Sequence, residues 1–334
     1  KVPDQISDIG GTVDITADSV SIGNTSGTSI NTTSTARDDA ANGGALTINA
    51  RDSLTISGRI QTFSEASDDD DAGNGGSVTI SGNTVDLNSI ETWSQADENE
   101  GSAGDVSIVA TESLFLQDID ATSNAGDGDI LLASNSIEDF SDLGNLAGGT
   151  LTLDSASGNI NIGGNTTTVD FDLLNSDLLA LNNINKLNIG RSGSTGTVTL
   201  WSSLFDSAGS RAQIDIQGAG LLKAPDGVNN VLQITAAGSG ALLNSDVIFS
   251  GVVGLSGGYL NDTFSFVGNG SIAGTVAGQS GYDTLDYQFS DTVPLVVDIE
   301  NGTVTGIGGF SGIDNILGSS ANNDKIIGST GSDT

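Results

Sequence analysis

A repeated segment led by glycine constrains the fold of this chain more than any other feature. Four segments show the same alternation of apolar and polar residues: TVDITADSVSI after Gly11, ALTINARDSLTI after Gly44, SVTISGNTVDL after Gly76 and DVSIVATESLFL after Gly104. Alternation with a period of two places the apolar side chains on one face of a strand. These pieces are too short to form amphipathic helices, and Gly and Asn interrupt them. The chain is therefore predicted to be all-β.

The spacing of the repeats predicts how the strands assemble. Successive leading glycines are 33, 32 and 28 residues apart, and only the polar spacer shrinks. The strand-bearing part stays at roughly twenty residues, the length of one turn of a β-solenoid. One turn cannot bury its own apolar face, but turns stacked in parallel about 4.8 Å apart can. We expect a parallel β-helix (β-solenoid) with Gly and Asn turns. Thr47, Thr79 and Ser107 should face outwards, and one inward ladder should contain Val13, Ile15, Leu46, Ile48, Val78, Ile80, Val106 and Ile108.

The spacers are acidic and should project as loops from one corner of successive turns. Their sequences are STARDDAANGG, EASDDDDAGNGG and QADENEGSAG. One interpretation is a solvated ridge that keeps the protein soluble and prevents sideways association. The other is a ladder of divalent cations, because hard cations prefer clustered carboxylates. Its ligands would be Asp68, Asp69, Asp70 and Asp71.

Changes in the repeated sequence motif divide the chain into three predicted regions. Residues 1–147 contain the regular repeats with acidic spacers, and residues 148–255 contain less regular turns of the same kind. The leucine-rich run FDLLNSDLLALNNINKLNI falls in the second region, and its Asn and Asp interruptions favour strands over a helix. Residues 256–334 contain different sequence motifs and form the third region.

The phrases of the third region fit the nonapeptide pattern G-G-x-G-x-D-x-U-x, in which Asp supplies a hard oxygen and the apolar residue U points inwards. They are GGYLNDTFSF, GQSGYDTLDY, GFSGIDNIL, SSANNDKII and GSTGSDT. The predicted calcium ligands are Asp262, Asp283, Asp314, Asp324 and Asp333, and the aligned apolar residues are Phe264, Leu285, Ile316 and Ile326. One step, from Asp324 to Asp333, has the nine-residue spacing. The alternative is that these are the turns of an ordinary solenoid.

Composition limits the chemistry and the partners. The chain has 334 residues, contains no Cys, His or Met, and carries a net charge of −34. Disulfides, thiolate chemistry and imidazole bases are therefore excluded. So acidic a surface repels nucleic acids and anionic membranes, and no apolar run is long enough for membrane insertion. Because the chain starts without Met, we expect it to be an internal fragment whose export signal lies upstream.

Two sets of repeats resemble known families of secreted bacterial proteins. NGGALTINARDSLTISGRI and NGGSVTISGNTVDLNSI resemble the repeats of filamentous-haemagglutinin-like exoproteins, which leave the cell by two-partner secretion. The phrases from Ser256 onwards resemble degenerate RTX (haemolysin-type calcium-binding) repeats. The resemblance implies a right-handed β-helix at the cell surface or released from it, a translocator protein for export, and calcium in the C-terminal region.

The predicted function is therefore non-catalytic. We expect an extracellular structural or adhesive protein that self-associates into fibres or a lattice, or that binds a surface or carbohydrate ligand. No catalytic or cofactor-binding residue is assigned. The alternative is a carbohydrate-active β-helix enzyme, a lyase, hydrolase or tailspike-like protein, because fold alone does not decide function. Trp93 and Trp201 could then be sugar platforms, although Trp93 continues an apolar strand and fits a core or rim position.

Overall fold

The protein is all-β, with one short helix in its described part and a large, mostly parallel sheet. The structure, a computed structural model, describes residues 10–23, 27–37, 39–67, 71–138, 145–155, 158–164, 171–181, 183–201, 213–243, 245–291, 294–320 and 323–328. This confirms the predicted fold class at the level of all-β. The parallel stacking is compatible with a β-solenoid.

Strands follow one another closely along the described chain. The first thirteen are β1 (Val13–Ala17), β2 (Val20–Ile22), β3 (Thr28–Asn31), β4 (Ser34–Ala36), β5 (Leu46–Ala50), β6 (Ser53–Gln61), β7 (Ser64–Ala66), β8 (Val78–Glu91), β9 (Ser94–Gln95), β10 (Val106–Asp120), β11 (Ile130–Ala133), β12 (Ser136–Glu138) and β13 (Asn145–Asp154). The next elements are β14 (Ile160–Gly164), β15 (Phe171–Leu174), helix α1 (Asn175–Ala180), β16 (Asn183–Ile189), β17 (Thr197–Leu200), β18 (Ile214–Lys223), β19 (Val231–Ala236), β20 (Ser239–Leu242) and β21 (Val247–Ser256). The last are β22 (Thr263–Gly268), β23 (Ile272–Ala277), β24 (Thr284–Ser290), β25 (Val296–Asp298), β26 (Thr303–Val304), β27 (Ile307–Ser311), β28 (Asn315–Leu317) and β29 (Lys325–Ile327).

The chain forms two compact units. Unit 1 contains residues 1–157 and 176–187, and unit 2 contains residues 158–175 and 188–334. The division of the chain into regions 1–147, 148–255 and 256–334 stays a prediction, because it describes sequence character rather than compactness.

The core of unit 1 has the register that the glycine-led repeats predict. Strands β1, β5, β8 and β10 pair in parallel, so that Ile15, Ile48, Ile80 and Ile108 align in one column. A second column aligns Val13, Leu46, Val78 and Val106. From β5 onwards these side chains are at most 1% exposed. Thr79, which lies between two core residues of β8, is exposed. The predicted register is thus confirmed as two adjacent columns, which are buried from β5 onwards and partly buried at Val13 and Ile15.

The paired glycines mark a close approach between backbones of successive repeats. A Cβ on Gly76 would lie 2.2 Å from the carbonyl oxygen of Gly44, and one on Gly104 would lie 2.3 Å from that of Gly76. A buried threonine also holds the backbone at this position, since Thr92 Oγ1 donates a hydrogen bond to the Gly104 carbonyl oxygen at 2.6 Å. Thr32 makes the matching bond to Gly44. Only glycine allows this spacing at positions 44, 76 and 104, which is why it leads these repeats.

In unit 2, most strand pairs are also parallel. Strands β19, β22, β24 and β28 align Leu232, Phe264, Leu285 and Ile316 in one column. Phe266 and Tyr287 stack in the interior with ring centroids 4.5 Å apart. The strands β19, β20 and β21 interrupt this pattern with antiparallel pairing, as does β25 with β26. These hairpins were not predicted by the sequence repeat.

The leucine-rich run is only partly strand, and the prediction of strands throughout it was wrong. Helix α1 separates β15 from β16. Leu178 and Leu181 are buried three residues apart, whereas Leu179 is 48% exposed, which is the burial pattern of a helix. Asp177 lies in the first turn, where a carboxylate interacts favourably with the helix dipole. The spacing of the buried Leu178 and Leu181 outweighed the flanking Asn residues.

Candidate functional site

Three of the predicted calcium ligands lie in one column of unit 2. Asp262, Asp283 and Asp314 directly precede β22, β24 and β28, which pair in register. Asn230 holds the same position before β19. We call these four residues the aspartate column. Asn230 was missed by the sequence analysis, although the phrase VNNVLQI stands 32 residues before LNDTFSF and has the same pattern.

The aspartate column is a ladder of hydrogen bonds between repeats. Asp262 Oδ1 accepts from the backbone N–H and from the side-chain Nδ2 of Asn230, both at 2.8 Å. Asp283 Oδ1 accepts from the backbone N–H of Asp262 at 2.8 Å. Asp314 Oδ2 accepts from the backbone N–H of Asp283 at 2.9 Å. Each carboxylate therefore satisfies a backbone donor of the preceding repeat that the strand ladder leaves unpaired.

Glycines upstream of the carboxylates make room for them. Asp262 Oδ2 accepts from the backbone N–H of Gly258 at 2.6 Å. A Cβ on Gly257 would lie 2.3 Å from Asp262 Oδ2, and a Cβ on Gly278 would lie 2.5 Å from Asp283 Oδ2. Gly and Asp thus occur five residues apart because the carboxylate packs directly against the glycine.

Two carboxyl groups of the aspartate column are buried and electrostatically unusual. Asp262 and Asp283 are 1% and 0% exposed. Burial raises the pKa of Asp262, although hydrogen bonds from Asn230 and Gly258 oppose the rise. Burial also raises the pKa of Asp283, and the neighbouring charge of Asp314 acts in the same direction. Among the residues that the structure describes, Asp283 Oδ2 has no hydrogen-bond partner. Both carboxyl groups therefore hold a proton more readily than an exposed Asp does.

The remaining residues of the calcium prediction lie elsewhere. Asp324 precedes β29, which pairs with β25 in a separate three-stranded sheet. There it accepts from the backbone N–H of Leu295 at 3.0 Å. Ile326 pairs with Val297 and is 72% exposed, so its predicted alignment with Phe264, Leu285 and Ile316 in one inward column was wrong. Asp333 lies outside the described residues.

In the described geometry, the carboxylates of the aspartate column act as hydrogen-bond acceptors for backbone N–H groups. Calcium takes six to eight oxygen ligands. Within the ranges that the structure describes, no group of three or more acidic side chains is arranged to hold a metal ion. Most carboxylate oxygens of the aspartate column accept from N–H groups instead. Calcium binding by these residues stays a prediction.

The acidic spacers stack on one another where they are described. Asp68, Asp69 and Asp70 lie outside the described residues. The backbone N–H of Asp71 points at Asp39 Oδ1, 3.5 Å away in the preceding spacer. Asn99 Nδ2 in the following spacer donates to Asp71 Oδ1 at 2.6 Å. Beneath them, strands β4, β7 and β9 form a small parallel sheet over a cluster of alanines: Ala36, Ala40, Ala66, Ala72 and Ala96. The described residues of successive spacers therefore contact one another.

The tryptophan that was considered as a sugar platform lies at the rim of unit 1. Trp93 is partly exposed and stacks on Phe63 of the preceding repeat, with ring centroids 3.9 Å apart. The other tryptophan, Trp201, is 42% exposed and belongs to unit 2.

Comparisons with known proteins do not assign the chain to a family. No family model matches the sequence, and neither a curated protein nor a solved structure is significantly similar to it. A search of the described residues for a helix long and apolar enough to cross a membrane found none. Function must therefore be argued from the geometry of the chain.

Proposed function

We propose that this chain is a non-catalytic structural or adhesive part of a secreted bacterial surface protein, folded as a right-handed β-solenoid. The observation that carries the proposal is the in-register stacking of unit 1. Each repeat completes the core of the next, from Ile15 through Ile48 and Ile80 to Ile108. A stack of this kind presents the same outer surface many times over, which suits adhesion or assembly better than a single reaction centre.

Polar side chains on the outside repeat with the core. Asn42 Oδ1 accepts from the backbone N–H of Asn74 at 2.8 Å, and Asn74 Oδ1 accepts from that of Ser102 at 2.9 Å. Asn49 accepts from the Ser81 hydroxyl in the same way. These columns rigidify the outer face without creating reactive groups. They support a role in which the surface itself is the functional element.

The basic residues favour a structural role over lyase chemistry. Cleavage of acidic polysaccharides needs cations that are free to hold the substrate. Arg51 forms an ion pair with Asp18 at 2.7 Å, and Lys223 forms one with Asp226 at 3.1 Å. With a net charge of −34, the protein would also repel acidic sugar chains. The resemblance of the repeats to secreted exoproteins supports a location outside the cell, a translocator for export, and a second copy of the chain or a surface ligand as the partner.

Electron microscopy and a binding assay together test the proposal. The purified protein should form filaments or sheets, or should coat a surface as single particles. An Ile80→Asp variant, whose stack is disrupted, should do neither. A panel of polysaccharides is incubated with the protein and tested for new reducing ends and unsaturated products. Robust turnover of any polysaccharide would show that the protein is an enzyme and would refute the proposal.

A further inference from the structure

The outer surface of unit 1 carries two stacked aromatic rings. Ser64 and Ser94 pair in adjacent repeats, which brings the preceding residues, Phe63 and Trp93, into register. Their ring centroids are 3.9 Å apart and their planes differ by 8°. Both side chains are partly exposed. One face of the Trp93 indole is therefore covered by Phe63.

The other face of the indole is directed towards the next repeat, where the aligned residue is small. Glu91 pairs with Asp120, and continuing this register by two residues sets Thr122 against Trp93. A threonine is too small to cover an indole. Two adjoining open clefts, of about 340 and 520 Å³, are both lined by Trp93, Asp120 and Thr122. We call them together the Trp93 cleft, which leaves one face of the indole open to a ligand ring.

The Trp93 cleft is strongly acidic. Five carboxylates line it: Glu91, Glu100, Asp118, Asp120 and Asp127. Arg59 also lines it, but its Nη1 atom lies 3.3 Å from Glu91 Oε1 in an ion pair. The local potential is therefore negative, and it favours a cationic ligand over a neutral or anionic one.

Four of these carboxylates are held in place by hydrogen bonds from their own chain: Glu91, Glu100, Asp120 and Asp127. Asp120 Oδ1 accepts from the Thr122 hydroxyl at 2.7 Å and from its backbone N–H at 3.2 Å. Glu100 accepts from the backbone N–H of Asn124 at 2.8 Å and from its Nδ2 at 2.9 Å. Carboxylates that are already oriented lose little conformational entropy when they accept a ligand donor.

We propose that the Trp93 cleft binds a cationic glycan built from amino sugars with free amino groups. The apolar C–H face of a pyranose ring packs on the indole, while its ammonium group, at the ring edge, interacts with the carboxylates. Ring hydroxyls donate to the remaining acceptor positions. The inference rests on the proposed adhesive function and names the ligand class that this function requires.

Tryptophan fluorescence can report binding at this cleft directly. The chain contains two tryptophans, so a Trp201→Phe variant leaves Trp93 as the sole indole. This variant is titrated with a glucosamine hexamer, an N-acetylglucosamine hexamer of the same length, and hexalysine. We expect a saturable change with the glucosamine hexamer and at least about tenfold weaker binding of the acetylated hexamer, a difference of roughly 1.4 kcal/mol. Hexalysine has the charge without the pyranose ring and should give no saturable change.

Calorimetry on variants supplies the second test. Trp93→Ala should weaken binding of the glucosamine hexamer at least about tenfold, which is roughly 1.4 kcal/mol. Trp201→Ala is the matched control and should bind like the wild type. Asp120→Asn should weaken binding less than Trp93→Ala, and most at low salt. Melting curves establish that each variant is folded. Equal binding by Trp93→Ala and wild type, or equal responses to hexalysine or to the acetylated hexamer, would overturn the inference.

The outcome separates this inference from the proposed function. If the glucosamine hexamer does not bind while the protein still forms filaments or coats surfaces, the ligand class is wrong and the adhesive function stands. If the hexamer binds at Trp93 and is cleaved, with release of new reducing ends, the ligand class is right and the non-catalytic function is wrong.

Discussion

Truncation of Ile80 should destabilise unit 1 by an amount that follows from its position. Ile80 is 0% exposed and lies between Ile48 and Ile108 in the aligned core column. Ile80→Ala removes three carbon atoms, and burial of about 0.8 kcal/mol per methylene makes the transfer term about 2.4 kcal/mol. The residual cavity adds to this, which gives a total of about 3–4 kcal/mol. Ile80→Asp should cost more, because it also buries an unpaired carboxylate.

The adjacent residue provides a matched control for this prediction. Thr79 lies in the same strand but is exposed, so Thr79→Ala and Thr79→Asp should change the stability by about 0.5 kcal/mol or less. Urea unfolding followed by circular dichroism measures the midpoints. Limited proteolysis should show that cleavage of Ile80→Asp begins in the flanking repeats, since stability in a stack depends on nearest neighbours. Equal midpoints for Ile80→Asp and Thr79→Asp would refute the inward register.

Four further predictions concern unit 2. The pKa values of Asp262 and Asp283 are raised in the folded protein, so the folded protein binds more protons than the unfolded protein. The stability should therefore rise as the pH falls from 7 towards 3.8, the ordinary pKa of an Asp side chain. The double variant with Asn at both positions should show a shallower pH dependence of the melting temperature, and an identical slope would contradict the assignment. Gly278→Ala should lower the melting temperature strongly, because its Cβ would lie 1.9 Å from a backbone carbonyl oxygen. Tyr287→Phe should be neutral or stabilise unit 2 by about 1 kcal/mol, because the buried hydroxyl has no hydrogen-bond partner among the described residues. A clear loss of stability in urea unfolding would contradict this. Millimolar calcium should raise the melting temperature more than sodium chloride of equal ionic strength, and Asp324→Asn should remove the excess; equal shifts from the two salts would indicate screening alone.

The inward register of the repeats was predictable because it depends on local pattern. Alternation after each glycine assigned the core positions of β5, β8 and β10 correctly. The column of Asp262, Asp283 and Asp314 was also found from its phrases, because each of these residues stands two positions before the apolar residue of its strand. In both cases the alternation of apolar and polar residues, and a fixed distance from a marker residue to the apolar position, predict which side chains align.

Elements that break the repeat were not predictable in this way. Helix α1 and the hairpin of β19 and β20 interrupt a pattern that reads as continuous strand. Ile326 was assigned to the wrong column because its phrase resembles the others, while its strand pairs with β25. Pairing between strands depends on which partner is nearby, and sequence similarity does not encode proximity.

The Trp93 cleft shows the same division between local and tertiary information. The sequence predicted a core or rim position for Trp93 and an acidic spacer directly after it. It did not show that Thr122 would line the cleft beside Trp93, because that depends on the register between β8 and β10. The size of one side chain in the next repeat decides whether the ring is covered or open.

The sequence by itself determined that the chain is all-β, that its glycine-led repeats stack in parallel and which alternate residues are buried, because these follow from periodicity and steric limits on the backbone. The tertiary structure decided what the polar residues do. The carboxylates of Asp262 and Asp283 became buried hydrogen-bond acceptors, and the carboxylates around Trp93 became the walls of an open cleft. The reason is physical: the same side chain is a solvated charge or a buried acceptor according to the backbone N–H groups and the bulk that the neighbouring repeat places beside it.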